Sequence, residues 1–236
     1  MSALDFTSTR PFNASIGDTV PKPVKKDDAR TRILKTALSE FASRGYDGVS
    51  TTEIAKAAGV TQPLIHYHFK SKEALWKATV EQIFCWLREE FVNSVEFNTD
   101  EHPEQKFKKF VRMFVEFSGR HPEFGQLMLR EGTQLTERLE WLVTEWIQPM
   151  LKDLMQGQQK GVEEGWLKDI PFAQVASILT AVGTHFFSLA PFIESVYGVN
   201  PQDPEQLNAY TNTVVEMACQ LVFTNQAIKT MATELA

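Results

Sequence analysis

The sequence predicts an all-α protein of about nine helices, with a three-helix unit near the N-terminus and a larger helical bundle after it. Apolar residues recur every three or four positions through most of the 236 residues, the spacing that gathers side chains on one helical face. The alternation typical of a half-buried β-strand is not sustained anywhere. Prolines, glycines and capping residues divide the periodic stretches into segments of helical length.

Residues 1–26 lack this period and contain three prolines, so we expect a flexible tail. They also lack the basic and then apolar run of a signal peptide. The tail ends in three basic residues that are suited to an anionic partner: Lys22, Lys25 and Lys26.

The first four predicted helices have clear start and stop signals. An apolar stripe predicts the first helix, with Asp27 and Asp28 as candidate caps and Gly45 as its stop. Thr61 is the expected N-cap of the third helix, and Ser71 that of the fourth. The stripe consists of Ile33, Leu34, Ala37, Leu38 and Phe41, and the other three helices are expected at Thr52–Ala58, Gln62–Phe69 and Lys72 to about Val95.

Five further periodic stretches predict the rest of the bundle. Three glycines, Gly157, Gly161 and Gly165, are expected to form a turn region between two of these helices. The five helices are expected from Pro103 to the His121-Pro122 break, and near Glu123–Arg130, Thr136–Gly157, Phe172–Val196 and Glu205–Asn225.

The helix predicted at Phe172–Val196 is unusual because no Asp, Glu, Lys or Arg occurs between Ile170 and Ile193. Its uncharged polar residues and the prolines near its ends favour a buried helix over a membrane span. A helix without charge on any side is normally covered on most sides, which suggests a contact between subunits. Its expected polar stripe is Gln174, Ser177, Ala181, Thr184 and Ser188.

The second and third predicted helices have the spacing of a helix-turn-helix. Gly59 permits the chain reversal between them, and the small Ala55 lets them approach closely. Two helices that share a small core leave the outer face of the second free to enter a DNA major groove. We expect Gln62, Leu64 and Tyr67 to contact the groove, and Thr51, Thr52, His66, His68 and Lys72 to contact phosphates, with Thr61 and Pro63 completing the DNA-binding set at the helix start.

The charge is divided in the way a DNA-binding protein requires. The whole chain has a formal net charge of −6, which by itself argues against a nucleic-acid partner. The segment from Lys22 to Lys77, however, has eleven basic and six acidic residues, so the remainder carries −11. The positive charge therefore lies where the groove-reading helix is predicted.

Residues 30–77 resemble the DNA-binding domain of TetR/AcrR-type transcriptional regulators. One position departs from the family pattern, because His66 stands where a tyrosine is common. The residues that carry the resemblance are Phe41, Gly45-Tyr46, Ser50-Thr51, Ile54-Ala55, Ala58-Gly59-Val60, Tyr67, Phe69 and Lys72-Glu73-Ala74-Leu75.

The two cysteines, Cys85 and Cys219, are too few for a disulfide framework and favour a reducing cytoplasm. The resemblance implies a homodimer that binds double-stranded operator DNA through two recognition helices, most simply as a repressor. Residues 27–77 would form the DNA-binding domain, and residues 78–236 would dimerise through the last two long helices and hold a pocket for a small-molecule inducer. Inducer binding would tilt the fourth helix and spread the two DNA-binding domains. The expected pocket residues are Phe114, Met128, Arg130, Gln134, Trp141 and His185.

Other functional classes find little support in the sequence. No phosphate-binding loop, hydrolase elbow or zinc-protease motif occurs, so we expect neither catalysis nor a cofactor. His66 and His68 are two positions apart and do not share a helical face, which argues against a metal site. Two alternatives stay open: a small-molecule-binding dimer whose DNA-binding domain is not used, and a membrane-associated helical protein.

Overall fold

The computed structural model describes residues 29–94 and 102–227, so the predicted tail and the candidate caps Asp27 and Asp28 lie outside it. Within these ranges the chain is all-α, as predicted, and its only β-type pairing is an isolated bridge between Leu167 and Phe223. The helices are α1 (Ala29–Arg44), α2 (Thr51–Ala57), α3 (Gln62–Phe69), α4 (Lys72–Ser94), α5 (Pro103–Arg120), α6 (Pro122–Gly132), α7 (Glu137–Leu142), α8 (Gln148–Glu163), α9 (Phe172–Ser188), α10 (Ala190–Tyr197) and α11 (Pro204–Val222).

Helices α1–α3, which we call the head, share a core that continues through α4 into the helices that follow. Ile33, Ile54 and Ile65, one from each helix, are at most 1% exposed. The apolar stripe predicted on α1 is buried throughout. Gly45 follows α1 with a φ of +77°, so the predicted stop is confirmed.

Helices α5–α11, which we call the body, pack around α5. This helix contacts α4, α6, α9 and α11. Helix α4 joins the two parts: Leu75 and Trp76, in its first turns, are fully buried with the head, while its C-terminal half packs on α5. Ser71 accepts a hydrogen bond from the Ala74 amide at 3.0 Å, which confirms it as the cap of α4.

The helix predicted at Thr136–Gly157 is longer than expected and contains an irregular turn. Residues Val143–Ile147 form a π-helical turn between α7 and α8. Gly157 and Gly161 lie inside α8, so the turn region predicted there is confined to Gly165, whose φ is +79°. Gly161 is needed for close packing, because a Cβ atom there would lie 2.5 Å from the Leu167 side chain.

The uncharged helix is broken where the sequence predicts continuity. It ends at Ser188, and α10 leaves at an angle of 68°. Leu189 sits at the break with φ −102° and ψ 23°, and Pro191 has no amide to continue the hydrogen-bond ladder of α9. None of the described helices is by itself long and apolar enough to cross a membrane, although α9 and α10 taken together pass that test of length and composition.

Candidate nucleic-acid interface and ligand cavity

The start of α2 is fixed by a capping box that the sequence analysis overlooked. Ser50 Oγ accepts from the Glu53 amide at 3.2 Å, and the Ser50 amide donates to Glu53 Oε2 at 2.8 Å. The signal was the Ser50-x-x-Glu53 spacing. Arg44 donates to the other oxygen of Glu53 at 2.7 Å, and this bond, with those from Ser50, lowers the pKa of Glu53 to about 2. Thr51 and Thr52 therefore occupy a well-anchored first helical turn.

The turn between α2 and α3 has the predicted form. Gly59 adopts a φ of +65°, and the Val60 amide donates to the Ala55 carbonyl at 3.0 Å. Thr61 occupies the N-cap position of α3, but its side chain makes no capping hydrogen bond, so its predicted capping role is wrong. The exposed Thr61 side chain instead lies at the open N-terminus of α3, where helix amides favour an anion.

Helix α3 divides cleanly into an inner and an outer face. Ile65 and Phe69 are 1% and 4% exposed and face the head core, whereas Tyr67 is 73% exposed. None of the ten predicted DNA contacts is buried. Six are exposed (Thr52, Thr61, Gln62, Pro63, His66 and Tyr67), and four are partly exposed (Thr51, Leu64, His68 and Lys72).

His66, the departure from the family pattern, is bonded within its own helix. Its Nδ1 lies 3.1 Å from the Lys70 carbonyl oxygen. A carbonyl only accepts, so this contact holds the imidazole tautomer with hydrogen on Nδ1 and leaves Nε2 for other contacts. Across residues 29–94 and 102–227, no group of three or more His, Cys, Asp or Glu side chains could hold a metal ion.

The body contains a cavity of about 440 Å³. Its walls come from α4, α5, α8 and α9, together with the loop at 166–168 and the residues Val222 and Phe223. Most lining side chains are apolar, and the charged ones are Asp153, Lys160 and Lys168. A largely apolar cavity of this size, with few polar groups, is typical of a small-molecule site.

The six predicted pocket residues do not come together. Phe114 lines the cavity, whereas the other five lie elsewhere, so the pocket is displaced from its expected position. Met128 and Trp141 pack against the core that α4 shares with the head, and Gln134 and His185 are exposed. The physical reason is that α6 packs on α1 and α9 and Trp141 of α7 packs on Trp76 of α4, while α8 and a different face of α9 from that of His185 line the cavity.

Arg130 has a structural role that its sequence neighbourhood did not reveal. Its Nε donates to the Ala42 carbonyl at 2.7 Å, and its Nη2 donates to the Ser43 carbonyl. It thereby ties α6 of the body to the last carbonyls of α1 in the head. Eighty-eight positions separate Arg130 from Ala42, so no local pattern could have indicated this pair.

Arg138 makes a second link, between the body and Tyr46, which follows α1 of the head. Its guanidinium lies 4.1 Å from the ring centroid of Tyr46 and donates to the buried carboxylate of Glu131 at 3.1 Å. Trp76 of α4 packs edge-on against Trp141 at 5.7 Å. We call Arg130, Arg138 and their partners the head–body junction.

The outer surface of α9 is left uncovered. Gln174, Ser177 and Ala181 are exposed, as expected for a subunit contact. The predicted stripe ends there, because Thr184 is buried and Ser188 packs on α6, where a Cβ at Gly125 would lie 2.4 Å from Ser188 Oγ. Four apolar residues at and beyond the break are also exposed: Leu189, Phe192, Val196 and Tyr197.

Comparison with protein families assigns both parts of the chain. Residues 33–79, covering most of the head and the start of α4, match the family described as bacterial regulatory proteins, tetR family. Residues 103–218 match the tetracyclin repressor-like C-terminal domain. The two matches together cover well over half of the 236 residues.

Individual relatives agree with this assignment. The transcriptional regulator RutR of Escherichia coli strain K12 is 28% identical over 195 residues, which cover 77% of this chain and 84% of RutR. The negative regulator IcaR of Staphylococcus aureus strain Newman, named for a biofilm operon, is 26% identical over 106 residues, 41% of this chain and 57% of IcaR. A tetR-family regulator from Rhodococcus RHA1 superposes with a TM-score of 0.64 at 17% identity, covering 84% of this chain and 98% of that one.

The fold, the exposed recognition face and both domain matches agree with one another, and the chain belongs to the TetR family of bacterial transcriptional regulators.

Proposed function

We propose that this chain is a dimeric repressor that binds a partly palindromic operator and releases it when a small molecule enters the body cavity. The observation that carries this proposal is the outer face of α3, which is exposed along its length on a rigid, capped head. The two half-sites would be centred one helical turn of DNA, or a multiple of it, apart.

The exposed residues of α3 suggest a division of roles on the DNA. Gln62 and Leu64 lie in its first turn, where the amide can bond an adenine edge and the leucine can contact a thymine methyl group. Tyr67 would also enter the groove, because its ring is largely exposed on the same helix. Thr51, Thr52, Thr61, His66, His68 and Lys72 would position the head through phosphate contacts, with Pro63 at the helix start.

Dimerisation would use α9 and α11. Both helices have one face buried in the body and one face exposed. The exposed face is poor in charge on α9 and contains both apolar and polar residues on α11. On α11, Val214, Val215 and Ala218 are buried, whereas Thr213 and Met217 are exposed. A second copy laid against these exposed faces would cover α9 on its remaining side, as its uncharged sequence favours.

Helix α4 provides a route from the cavity to the head. Its first turns are buried with the head core at Leu75, while Leu87 and Phe91 in its second half line the cavity. A ligand that fits the cavity better when α4 is tilted would shift the population towards head spacings that no longer match the operator. Helix α4 would therefore connect residues 27–77 with residues 78–236, beside the contacts of the head–body junction.

A gel-shift titration against the intergenic DNA upstream of the chain's own gene would test the proposal. Gln62→Ala and Tyr67→Ala should each abolish the shift while leaving the dimer intact by size-exclusion chromatography, because both side chains are exposed. Gln202→Ala, an exposed loop position far along the chain, is the matched control and should bind normally. Unchanged operator affinity in both α3 variants would contradict the proposal.

A further inference from the structure

We infer that the body cavity takes an amphipathic organic anion: a monocarboxylate with an aliphatic or aromatic body. This inference rests on the proposed function only in calling that molecule the effector. The binding site itself follows from the lining residues and the placement of their charges.

The walls of the cavity require an apolar ligand body. Leucine, methionine and valine side chains contribute many of the lining residues. A polar ligand group placed against them would lose its water without gaining a hydrogen-bond partner. The volume of about 440 Å³ lies in the lower half of the range for small-molecule sites. Seven aromatic rings line the space: Phe91, Phe107, Phe110, Phe114, Trp166, Phe172 and Phe223.

The charged lining residues are separated along α8. Lys160 lies in the last turn of this helix, and Lys168 follows in the loop just beyond it. Asp153 precedes Lys160 by seven residues, or about 10 Å along the helix axis at 1.5 Å per residue. The two ammonium groups therefore belong to one end of α8, and the single carboxylate is set back from them.

Lys168 is held in place as a binding group would be. Its amide donates to the Val222 carbonyl at 2.8 Å, next to the bridge between Leu167 and Phe223. Its Nζ donates to the Gln220 carbonyl at 2.5 Å. An ammonium carries three hydrogens, so one such bond fixes its position and leaves capacity for an anion.

Lys160 forms an ion pair within its own helix. Its Nζ lies 4.0 Å from Glu164 Oε1, one turn further along α8. A pair at this distance between partly exposed groups is weak, so an incoming carboxylate can compete with Glu164 for the ammonium. The aromatic rings of Trp166 and Phe223, which also line the cavity, stack on each other with centroids 5.8 Å apart.

Isothermal titration calorimetry with three probes that share one alkyl chain would test the inference: decanoate, 1-decanol and decylammonium. We expect decanoate to bind at least tenfold more tightly than the other two. Lys168→Met should lower decanoate affinity about tenfold and leave 1-decanol affinity unchanged, because a charge-assisted bond is lost but no apolar contact is. Lys168→Arg should retain the preference for decanoate.

A matched control is available on the same helix. Lys152 is exposed on α8 and is not among the cavity residues, so Lys152→Met should bind all three probes as the wild type does. Circular dichroism melts would confirm that each variant is folded. Failure of all three probes to bind, equal affinity for decanoate and 1-decanol, or insensitivity to both Lys168→Met and Lys160→Met would overturn the inference. A preference for decylammonium would overturn it as well and would point to Asp153.

A parallel operator gel shift separates this inference from the proposed function. If the protein binds the operator but not decanoate, the proposed repressor function stands and the proposed ligand class is wrong. Decanoate binding without release of the operator would uphold the ligand class and contradict its role as effector.

Discussion

The head and the body of this protein differ in how completely side chains fill them. The head has three helices whose core isoleucines are at most 1% exposed, and its polar groups are used in caps and turns. The body buries comparable side chains, such as Phe117 and Phe187, yet it also borders a partly open cavity of about 440 Å³. Protein interiors rarely leave voids larger than a water molecule. The comparison teaches that the head is filled, whereas the body leaves a space of the size that a small molecule occupies.

Truncating one core residue in each part gives the largest expected effect. Ile65→Ala removes a fully buried side chain from the core of the head and should lower the free energy of unfolding by about 2–5 kcal/mol. Leu179→Ala, at the wall of the existing cavity, should cost less, about 1 kcal/mol, because the leucine is already incompletely packed. Urea unfolding followed by circular dichroism measures both. Equal losses would show that the two interiors are not packed differently.

Removing Arg130 from the head–body junction should have the next largest effect. Arg130→Ala leaves the Ala42 and Ser43 carbonyls without their partner and should lower the free energy of unfolding by about 1–3 kcal/mol. Arg130→Lys keeps the charge but not the two-pronged geometry, so its loss should be intermediate. Thermal melts would compare the three proteins. An Arg130→Ala variant as stable as the wild type would show that the head does not depend on this contact.

A partly buried histidine in the body should make its stability depend on pH. The His121 ring stacks on Trp86 at 5.1 Å, and burial lowers the pKa of His121 below its usual value of 6.5. The unfolded chain then binds the proton more readily, so stability should be full above pH 6.5 and should decline as the pH falls below that value. In His121→Phe this part of the decline should disappear. Melting temperatures at pH 7.5 and 5.5 give the measurement, and an identical decline in the variant would contradict it.

The smallest expected effect lies in the head, at an exposed carboxylate. The pKa of Glu53 is lowered to about 2 by Arg44 and Ser50, so its contribution should be present at neutral pH, decline below about pH 4.5 and vanish near pH 2. Glu53→Gln should therefore melt slightly below the wild type at pH 7, with the gap closing in acid. Glu194→Gln, an exposed carboxylate on α10, serves as control and should match the wild type at every pH. A gap that widens in acid would contradict the assigned pKa.

The head could be predicted from sequence because its determinants are local. Gly59, Ala55 and the short spacing between them fix how α2 meets α3, and the exposed face of α3 follows from that meeting. The cavity could not be predicted in the same way. Its lining residues include Phe91 and Phe223, which are more than half of the chain apart in sequence. The apolar periodicity of each helix is the same whether the interior that it faces is filled or hollow.

The break after Ser188 and the partners of Arg130 were missed for a related reason. The apolar pattern continues through Leu189, and only the geometry of that residue and the missing amide of Pro191 stop the helix. Arg130 directly follows the apolar run Leu127-Met128-Leu129, and a charged group in that place is equally typical of a ligand contact and of a helix-end contact. Deciding between them required knowing that α6 lies against α1.

The π-helical turn at Val143–Ile147 has a consequence for how ligand preference can change. It lies between α7, whose Trp141 packs near the head, and α8, whose Met150 and Leu154 line the cavity. Each residue of a helix advances it by about 100°. We expect that deleting one residue from this turn would rotate α8 about its own axis and turn a different row of its side chains towards the cavity. The contact between Trp141 of α7 and Trp76 would be kept. A one-codon change could thus alter the lining of the cavity without altering the exposed face of α3.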